Sequence, residues 1–415
     1  MVPRSQPPGS RASVRGVGQQ LTIMGFLDNL ARKAEVHDPM RPATRLFLVV
    51  LALSGIGFLL QVSFVATTGT VDRFWGEVLG QALFRILSLG VMLLAFRIGP
   101  GGLRRALPHL VVLCGILLVL VFVEPFRAAR NGAFRWVELP LGAHLTFQPS
   151  ELARIVIVLW VADRCVKLGT RVHDLGRGVL PMLVLALFFF TLVLVETDLG
   201  GSMLLLICAL STMWVGGARL LPVGASLVAI GGGAITAASL FVPYMRERLS
   251  MWLGSVHNDQ VSGTLQALSS GGLFGAGYTH GGFRNQGVPY LESDYVFALV
   301  GEELGLFGMW LILACWIAFL WYALRLVLSV RDRYEALATF GLLLSVALQA
   351  MVHVQVVAGL APPKGMTLPF LSDGGTSLIV SSFAVGLALG AARKTHEELY
   401  PCTPSNATAS SLSSS

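Results

Sequence analysis

The stretch from Ser270 to Gly305 holds the residues best suited to chemistry. A glycine-rich segment runs into Tyr290-Leu291-Glu292-Ser293-Asp294 and then into a long apolar run whose first turns carry Glu302 and Glu303. A carboxylate held rigidly where apolar and aqueous surroundings meet, with cations nearby to hold a departing anion, can act as a general base. The same position suits a helix start, because Ser293 and Asp294 both belong to the residue types that cap a first turn or meet its dipole. Residue type alone leaves both roles open for Asp294. Cations that could face it come from separate connections: Arg127, Arg130 and Arg135, then Arg246 and Arg248, then Lys364.

Three further polar groups interrupt apolar sequence. Gln148-Pro149-Ser150-Glu151-Leu152-Ala153-Arg154 opens a helix with proline suited to its first turn. Glu151 and Arg154 are three apart and share a face, either as a local ion pair that makes both charges tolerable or as the border of a wet cavity. Arg85, Gln349 and His353 form a second set; a lone histidine among apolar neighbours is more often hydrogen-bonded packing than a ligand. The third, Ala361 to Ser377, contains three prolines and three glycines. It cannot cross lipid as a regular helix, and reads as a re-entrant or surface-hugging loop beside the cavity.

The elements that must position these residues are membrane helices. Of 415 residues, 54% are hydrophobic and only 13% charged, with mean hydropathy +0.71; soluble chains carry about a quarter charged residues. The expected fold is an all-α polytopic integral membrane protein. About ten apolar runs approach the roughly 20 residues that span a bilayer, near 46–66, 76–96, 107–124, 148–165, 179–195, 201–216, 220–244, 294–326, 336–358 and 373–392. An even count puts both tails on one side. Residues 1–44 read as a cytoplasmic N-terminal tail, with Met24 a second plausible start before an amphipathic segment. Residues 45–395 form the transmembrane domain, with a large extracytoplasmic loop at about 245–293 between helices 7 and 8, and 396–415 read as a disordered cytoplasmic tail.

Charge supports that order. The net charge is +7, but the cations lie in short clusters between apolar runs, as orientation signals do, and nucleic acid is not implied. Arg97, Arg104 and Arg105, then Arg164, Lys167, Arg171 and Arg177, then Arg325, Arg331 and Arg333 fall in alternate connections. Arginines on the opposite side work against this bias, and an anionic ligand there would account for them. The five cysteines have no metal spacing and imply neither zinc nor a disulfide. The usual phosphate-loop, zinc-protease and nucleophile-elbow patterns are missing. What remains is an enzyme acting on an amphiphile, a transporter of one, or a scaffold.

The chain resembles the SEDS family (shape, elongation, division and sporulation) of peptidoglycan glycosyltransferases from about residue 45 to 395. The carriers are Arg135-Trp136, FQPSELAR at 147–154, ETDLGGS at 196–202, the sequence from Arg246 through the glycine-rich loop, SDYVFALVGEELG at 293–305 and PPKGMTLPFLSDGGTS at 362–377. Lys364-Gly-Met-Thr-Leu-Pro369 is more similar to the division branch, FtsW, than to the elongation branch, RodA. The resemblance implies an inverting polymerase of lipid II that builds septal β-1,4-linked glycan in the bacterial inner membrane. Asp294 matches the family's essential acid, and Gln148, Glu151, Arg154, Arg246, Arg248 and Lys364 are expected to bind substrate. It also implies a class B penicillin-binding protein as transpeptidase partner, beside other division proteins and membrane lipid. No cofactor is certain, and a divalent cation stays open. A flippase of the lipid-linked precursor and a RodA-like polymerase are the alternatives. The chain departs from the family pattern at Arg154, where lysine is usual, at Thr197 for proline, at His353 for asparagine and at Asp373 for tyrosine.

Overall fold

A computed structural model of the chain describes residues 38–68, 71–124, 127–130, 133–139, 145–241, 243–252, 259–283 and 291–401. Most of the expected N-terminal tail, the end of the C-terminal tail and Arg284 lie outside them, as do the side chains of Arg127 and Arg130. Each of the ten apolar runs coincides with a helix. These are α1 (Met40–Thr68), α2 (Val71–Leu103), α3 (Leu107–Leu120), α4 (Pro149–Leu168), α5 (Leu180–Val195), α6 (Leu199–Val215), α7 (Leu220–Phe241), α10 (Val296–Ser329), α11 (Arg333–Val357) and α12 (Gly375–Leu399). The connection after α7 holds two shorter helices, α8 (Pro243–Trp252) and α9 (Asp259–Ser270).

Six of the described helices are long and apolar enough to cross a membrane, and three more are shorter apolar helices. The chain is a multi-pass membrane protein, and its outward leucines, such as Leu79, Leu83 and Leu94, are exposed on the bundle surface. The end helices exceed their expected bounds. α1 begins at Met40, inside the expected tail, where Asp38 accepts from the Met40 backbone N–H. α12 continues to Leu399, so residues 396–399 are helical, and His396 Nδ1 lies 3.3 Å from Asp38 Oδ1.

Close packing of small residues draws α2 and α12 together. Gly386 lies against the backbone of Met92, and Gly390 against Gly99, where any Cβ would collide. Small residues four apart let membrane helices approach in this way. Gly99 has φ 63 and precedes Pro100, which breaks α2 near its end.

Two local features were not expected. A three-stranded antiparallel sheet, β1 (Arg127–Arg130), β2 (Ala133–Leu139) and β3 (Leu145–Phe147), precedes α4. Arg130 pairs with Ala133 across Asn131-Gly132, the dipeptide that favours a two-residue hairpin turn. α10 is also broken, at Gly305 with φ 64.

That break gives the glycine-rich stretch its place in the fold. The carbonyls of Glu302 and Glu303 accept from the N–H groups of Ala276 and Gly277, while Leu306 and Phe307 donate to the carbonyls of Gly272 and Leu273. The glycine segment thus satisfies the backbone groups that the interruption leaves open, as buried amides require. Gly271, Gly275 and Gly305 lie where a Cβ would meet the backbone of the other segment. The stretch is a packed buckle.

Candidate active site

The start of α10 bears on the two roles open to Asp294. Its N-cap is Tyr295, with no side-chain cap hydrogen bond. The Asp294 carboxylate is therefore not engaged in capping and lines a polar cavity of about 680 Å³. The cavity draws on β2, the start of α4, the α5–α6 connection, α8, α11 and the 358–374 loop. Burial raises the Asp294 carboxyl to about 6, even though Arg248, Arg135 and Lys364 all favour its ionised form. A carboxyl with an affinity near neutrality suits proton abstraction.

The loop between α11 and α12 forms one wall. Ser372 Oγ donates to the Ser293 carbonyl at 2.6 Å and accepts from the Leu368 N–H at 2.8 Å. The Asp373 N–H donates to the Glu292 carbonyl at 3.0 Å, and Gln61 Nε2 donates to the same carbonyl at 2.9 Å. These bonds fix the residues before Asp294 from two sides. Gly365 leaves room for the carboxylate, since a Cβ there would fall 2.5 Å from Asp294 Oδ2. The loop folds back on the residues that lead into α10 and pairs with their backbone.

Lys364 reaches across the cavity, with Nζ 3.1 Å from Asp198 Oδ1. Asp198 is the N-cap of α6, accepting from the Gly201 N–H at 2.8 Å. Burial works to raise its carboxyl, but Lys364, Arg135 and that N–H overcome it and hold the group well below the usual carboxylate range. Arg135 Nη2 donates to the Thr197 carbonyl at 2.7 Å. Thr197 has φ 61, a strained value for a β-branched residue and one that proline cannot adopt. The proline expected from the resemblance at this position could not hold this backbone.

Arg154 does not spend itself on a local pair with Glu151. Its Nη2 donates to Gln349 Oε1 at 2.7 Å, and Gln349 Nε2 reaches Ser377 Oγ at 3.0 Å and Thr367 Oγ1 at 3.2 Å. Arg154 Nε and Glu151 Oε2 are buried without a hydrogen-bond partner, and both residues line the cavity. Unpaired buried polar atoms facing a cavity are where a ligand or water would bind.

Of the residues expected to bind substrate, Gln148, Glu151, Arg154, Arg248 and Lys364 line this cavity with Asp294. Arg248 also holds the loop, donating to the Pro363 carbonyl at 2.9 Å. Arg246 is not among the lining residues; its Nη2 donates to the Leu240 carbonyl at 2.8 Å at the exposed end of α7. His353 is fully buried, with Nδ1 2.6 Å from the Met366 carbonyl, as hydrogen-bonded packing requires. Glu302 and Glu303 are buried anchors: Glu302 Oε1 accepts from the Phe283 N–H at 2.8 Å and Glu303 Oε1 from Ser63 Oγ at 2.6 Å.

Arg135, Asp198, Gln349 and Ser377 belong to the cavity but were not among the expected substrate-binding residues. Asp198 had a signal, as an acid in the short break between two apolar runs. Arg135 had another, as one of the cations that could face Asp294, and in β2 it is buried. Among the described residues no group of three His, Cys, Asp or Glu side chains is placed to hold a metal ion.

A family model described as "Cell cycle protein", FTSW_RODA_SPOVE, matches residues 43–397. The chain is 30% identical over 352 residues to "Probable peptidoglycan glycosyltransferase FtsW" of Geobacter sulfurreducens, covering 83% of this chain and 92% of the relative. It is also 30% identical over 359 residues to "Stage V sporulation protein E" of Bacillus subtilis, covering 85% and 97%. Among solved structures it is similar to a chain from work described as "Structural coordination of polymerization and crosslinking by a peptidoglycan synthase complex". The TM-score is 0.68 and the identity 26%, over 85% of this chain and 98% of the other. A mutant of the rod shape determining protein RodA of Thermus thermophilus matches with TM-score 0.60 and 25% identity, over 85% and 97%.

Proposed function

The chain belongs to the FtsW/RodA/SpoVE family of cell cycle proteins, and from that premise we infer that it is a peptidoglycan glycosyltransferase of septal cell-wall synthesis. The curated relatives named for that activity support the reaction class. The observation that carries the residue assignment is Asp294: it does not cap its helix, and it faces a polar cavity lined by Arg135, Arg154, Arg248 and Lys364.

The reaction is a single inverting displacement on lipid II, the undecaprenyl-diphosphate-linked disaccharide peptide. Asp294 takes the proton from the acceptor sugar's 4-hydroxyl as that oxygen attacks the donor's anomeric carbon. The new bond is β-1,4, and the bond to diphosphate breaks with its electron pair leaving on undecaprenyl diphosphate. Negative charge grows on that leaving group, and preorganised cations can stabilise such charge by several kcal/mol each. Arg154 and Arg248 are suited to this role, each with a guanidinium at the cavity. Lys364 is tied to Asp198 and mainly fixes the wall. Arg246 is left out.

Ten spans with both tails cytoplasmic put this cavity at the outer face, at the division septum, where the donor lipid's tail can remain between helices. A class B penicillin-binding protein fits as cross-linking partner, in keeping with the synthase complex among the similar structures. A second cavity, of about 360 Å³ and lined by Arg104, Glu335 and Lys394 among others, shares no lining residue with the first. That separation favours a reaction at one end over a transport path joining both.

The test is polymerisation of purified lipid II by the full chain in detergent or vesicles, with and without its candidate transpeptidase. Glycan strands are expected, longer or faster with the partner. Movement of lipid II across vesicles with no glycan formed under either condition would establish transport instead.

A further inference from the structure

Glu151 and Arg154 lie in the first turns of α4, three residues apart and on one face. Both line the reaction cavity, and each keeps one buried polar atom without a partner. Arg154 Nε is a donor with nothing to receive its proton, and Glu151 Oε2 is an acceptor with no donor. The arginine is only 6% exposed, and the bond from Nη2 to Gln349 Oε1 fixes the direction of its guanidinium. Gln349 is held in turn by Ser377 Oγ and Thr367 Oγ1. The free donor and the free acceptor are therefore set in place before any ligand arrives.

One turn farther along the same face, the surroundings change. Val158 packs with Leu204 and Cys208 in a small apolar cluster, with Met366 against it. Leu204 and Met366 also line the cavity, whose other lining is largely polar or charged. Within about two turns of α4 the wall thus passes from acceptor to donor to apolar surface. A matching group needs one N–H, one carbonyl and a small apolar end. Phosphate has no N–H and carries the same charge as Glu151, and a sugar hydroxyl has no apolar end. A water molecule could meet both polar atoms but would leave the apolar surface unfilled. A secondary acetamide satisfies all three: its N–H donates to Glu151 Oε2, its carbonyl accepts from Arg154 Nε, and its methyl rests on Leu204 and Met366.

We propose that Glu151, Arg154 and Leu204 form a subsite for the 2-acetamido group of the donor sugar. This rests on the reading of the chain as a lipid II polymerase. In that donor the carbon bearing the acetamide is bonded to the anomeric carbon that carries the diphosphate. The Arg154 guanidinium can therefore hold the amide carbonyl through Nε while its charge faces the departing phosphate. Holding the neighbour of the reacting carbon limits how the donor ring can turn as the new bond forms. The same contacts select for an N-acetylated sugar.

The experiment measures initial rates of glycan synthesis by the full chain from ordinary lipid II and from two analogues changed only at the muramyl C2. One carries an acetoxy group, which keeps the carbonyl and methyl but puts an oxygen in place of the N–H. The other carries a butanamido group, which lengthens the apolar end. Wild type should prefer ordinary lipid II over the acetoxy analogue by roughly a hundredfold in kcat/KM, because a buried acceptor left without its donor is costly. Glu151→Gln, whose amide can turn either a donor or an acceptor toward the ligand, should cut that preference at least about tenfold. Leu204→Ala should improve use of the butanamido analogue relative to ordinary lipid II by about tenfold and leave the acetoxy preference unchanged. Equal use of ordinary lipid II and the acetoxy analogue by wild type overturns the subsite. So does an undiminished preference in Glu151→Gln, or an unchanged acyl-length preference in Leu204→Ala, and each variant decides alone if the other is inactive or fails to fold. Absence of glycan from ordinary lipid II with wild type would instead overturn the polymerase reading beneath it.

Discussion

Lys364 Nζ lies 3.1 Å from Asp198 Oδ1, joining the loop after α11 to the N-terminus of α6 across the reaction cavity. Each side chain is largely shielded, 15% and 5% exposed, so neither is a surface charge that water would simply take over. Lys364→Met should leave Asp198 buried and short of a partner, destabilising the protein by about 3–5 kcal/mol. Adding Asp198→Asn should recover much of that loss. Thermal unfolding of the single and double variants in one detergent measures the difference, and equal melting temperatures would show that the contact carries no stability.

The raised Asp294 carboxyl gives a pH prediction. A base must be ionised, so kcat/KM should rise with pH through about 6, the value at which the buried carboxyl loses its proton. Linkage runs the other way for stability. The unfolded group titrates near 3.8 and the folded one near 6, so between them the folded state holds more proton. Stability should fall as pH rises through that window and then level off. Initial rates across pH 5–8, beside melting curves over about pH 3.5–7, check both signs.

Arg154 stands where the resemblance led a lysine to be expected, and its guanidinium does what an ammonium cannot. One arm bonds Gln349 while Nε remains directed into buried space without a partner. Arg154→Lys keeps the charge but loses the fork, and the rate of glycan synthesis should drop about tenfold, with little change in melting temperature. A near-normal rate would mean that charge alone is used.

The buckle at Gly305 predicts a folding effect away from the cavity. Gly275 has φ 83, and a Cβ there would meet the Glu303 carbonyl. Gly275→Ala should cost about 1–3 kcal/mol through strain and displaced backbone. A lowered melting temperature is the expected readout; an unchanged one would indicate that the segment is slack.

Much of this arrangement was legible in residue order. Each apolar run coincides with a helix because lipid demands continuous apolar sequence and charges end it. Asp294, Glu151 and Arg154 stood out because polar groups at membrane depth need a reason. Other features depended on long-range pairing, which runs of hydrophobicity do not encode. The Asp198–Lys364 contact joins residues 166 positions apart, and local sequence could not tell Arg246 from Arg248, although only the second lines the cavity. The packing of the glycines at 271–277 was not legible, because their partner, the broken turn at Gly305, is hidden within an apolar run. The small sheet had one signal, the Asn131-Gly132 dipeptide, outweighed by the helical character of the rest.

The central claim is that Asp294 takes the proton from the acceptor hydroxyl. Its most direct test is glycan synthesis from purified lipid II by Asp294→Asn, a near-isosteric change that removes the base. The variant should fold and still bind lipid II, yet lose at least about a hundredfold in rate, in line with the 10²–10⁴-fold typical of general acid–base catalysis. A folded Asp294→Asn protein polymerising lipid II at the wild-type rate would contradict the account.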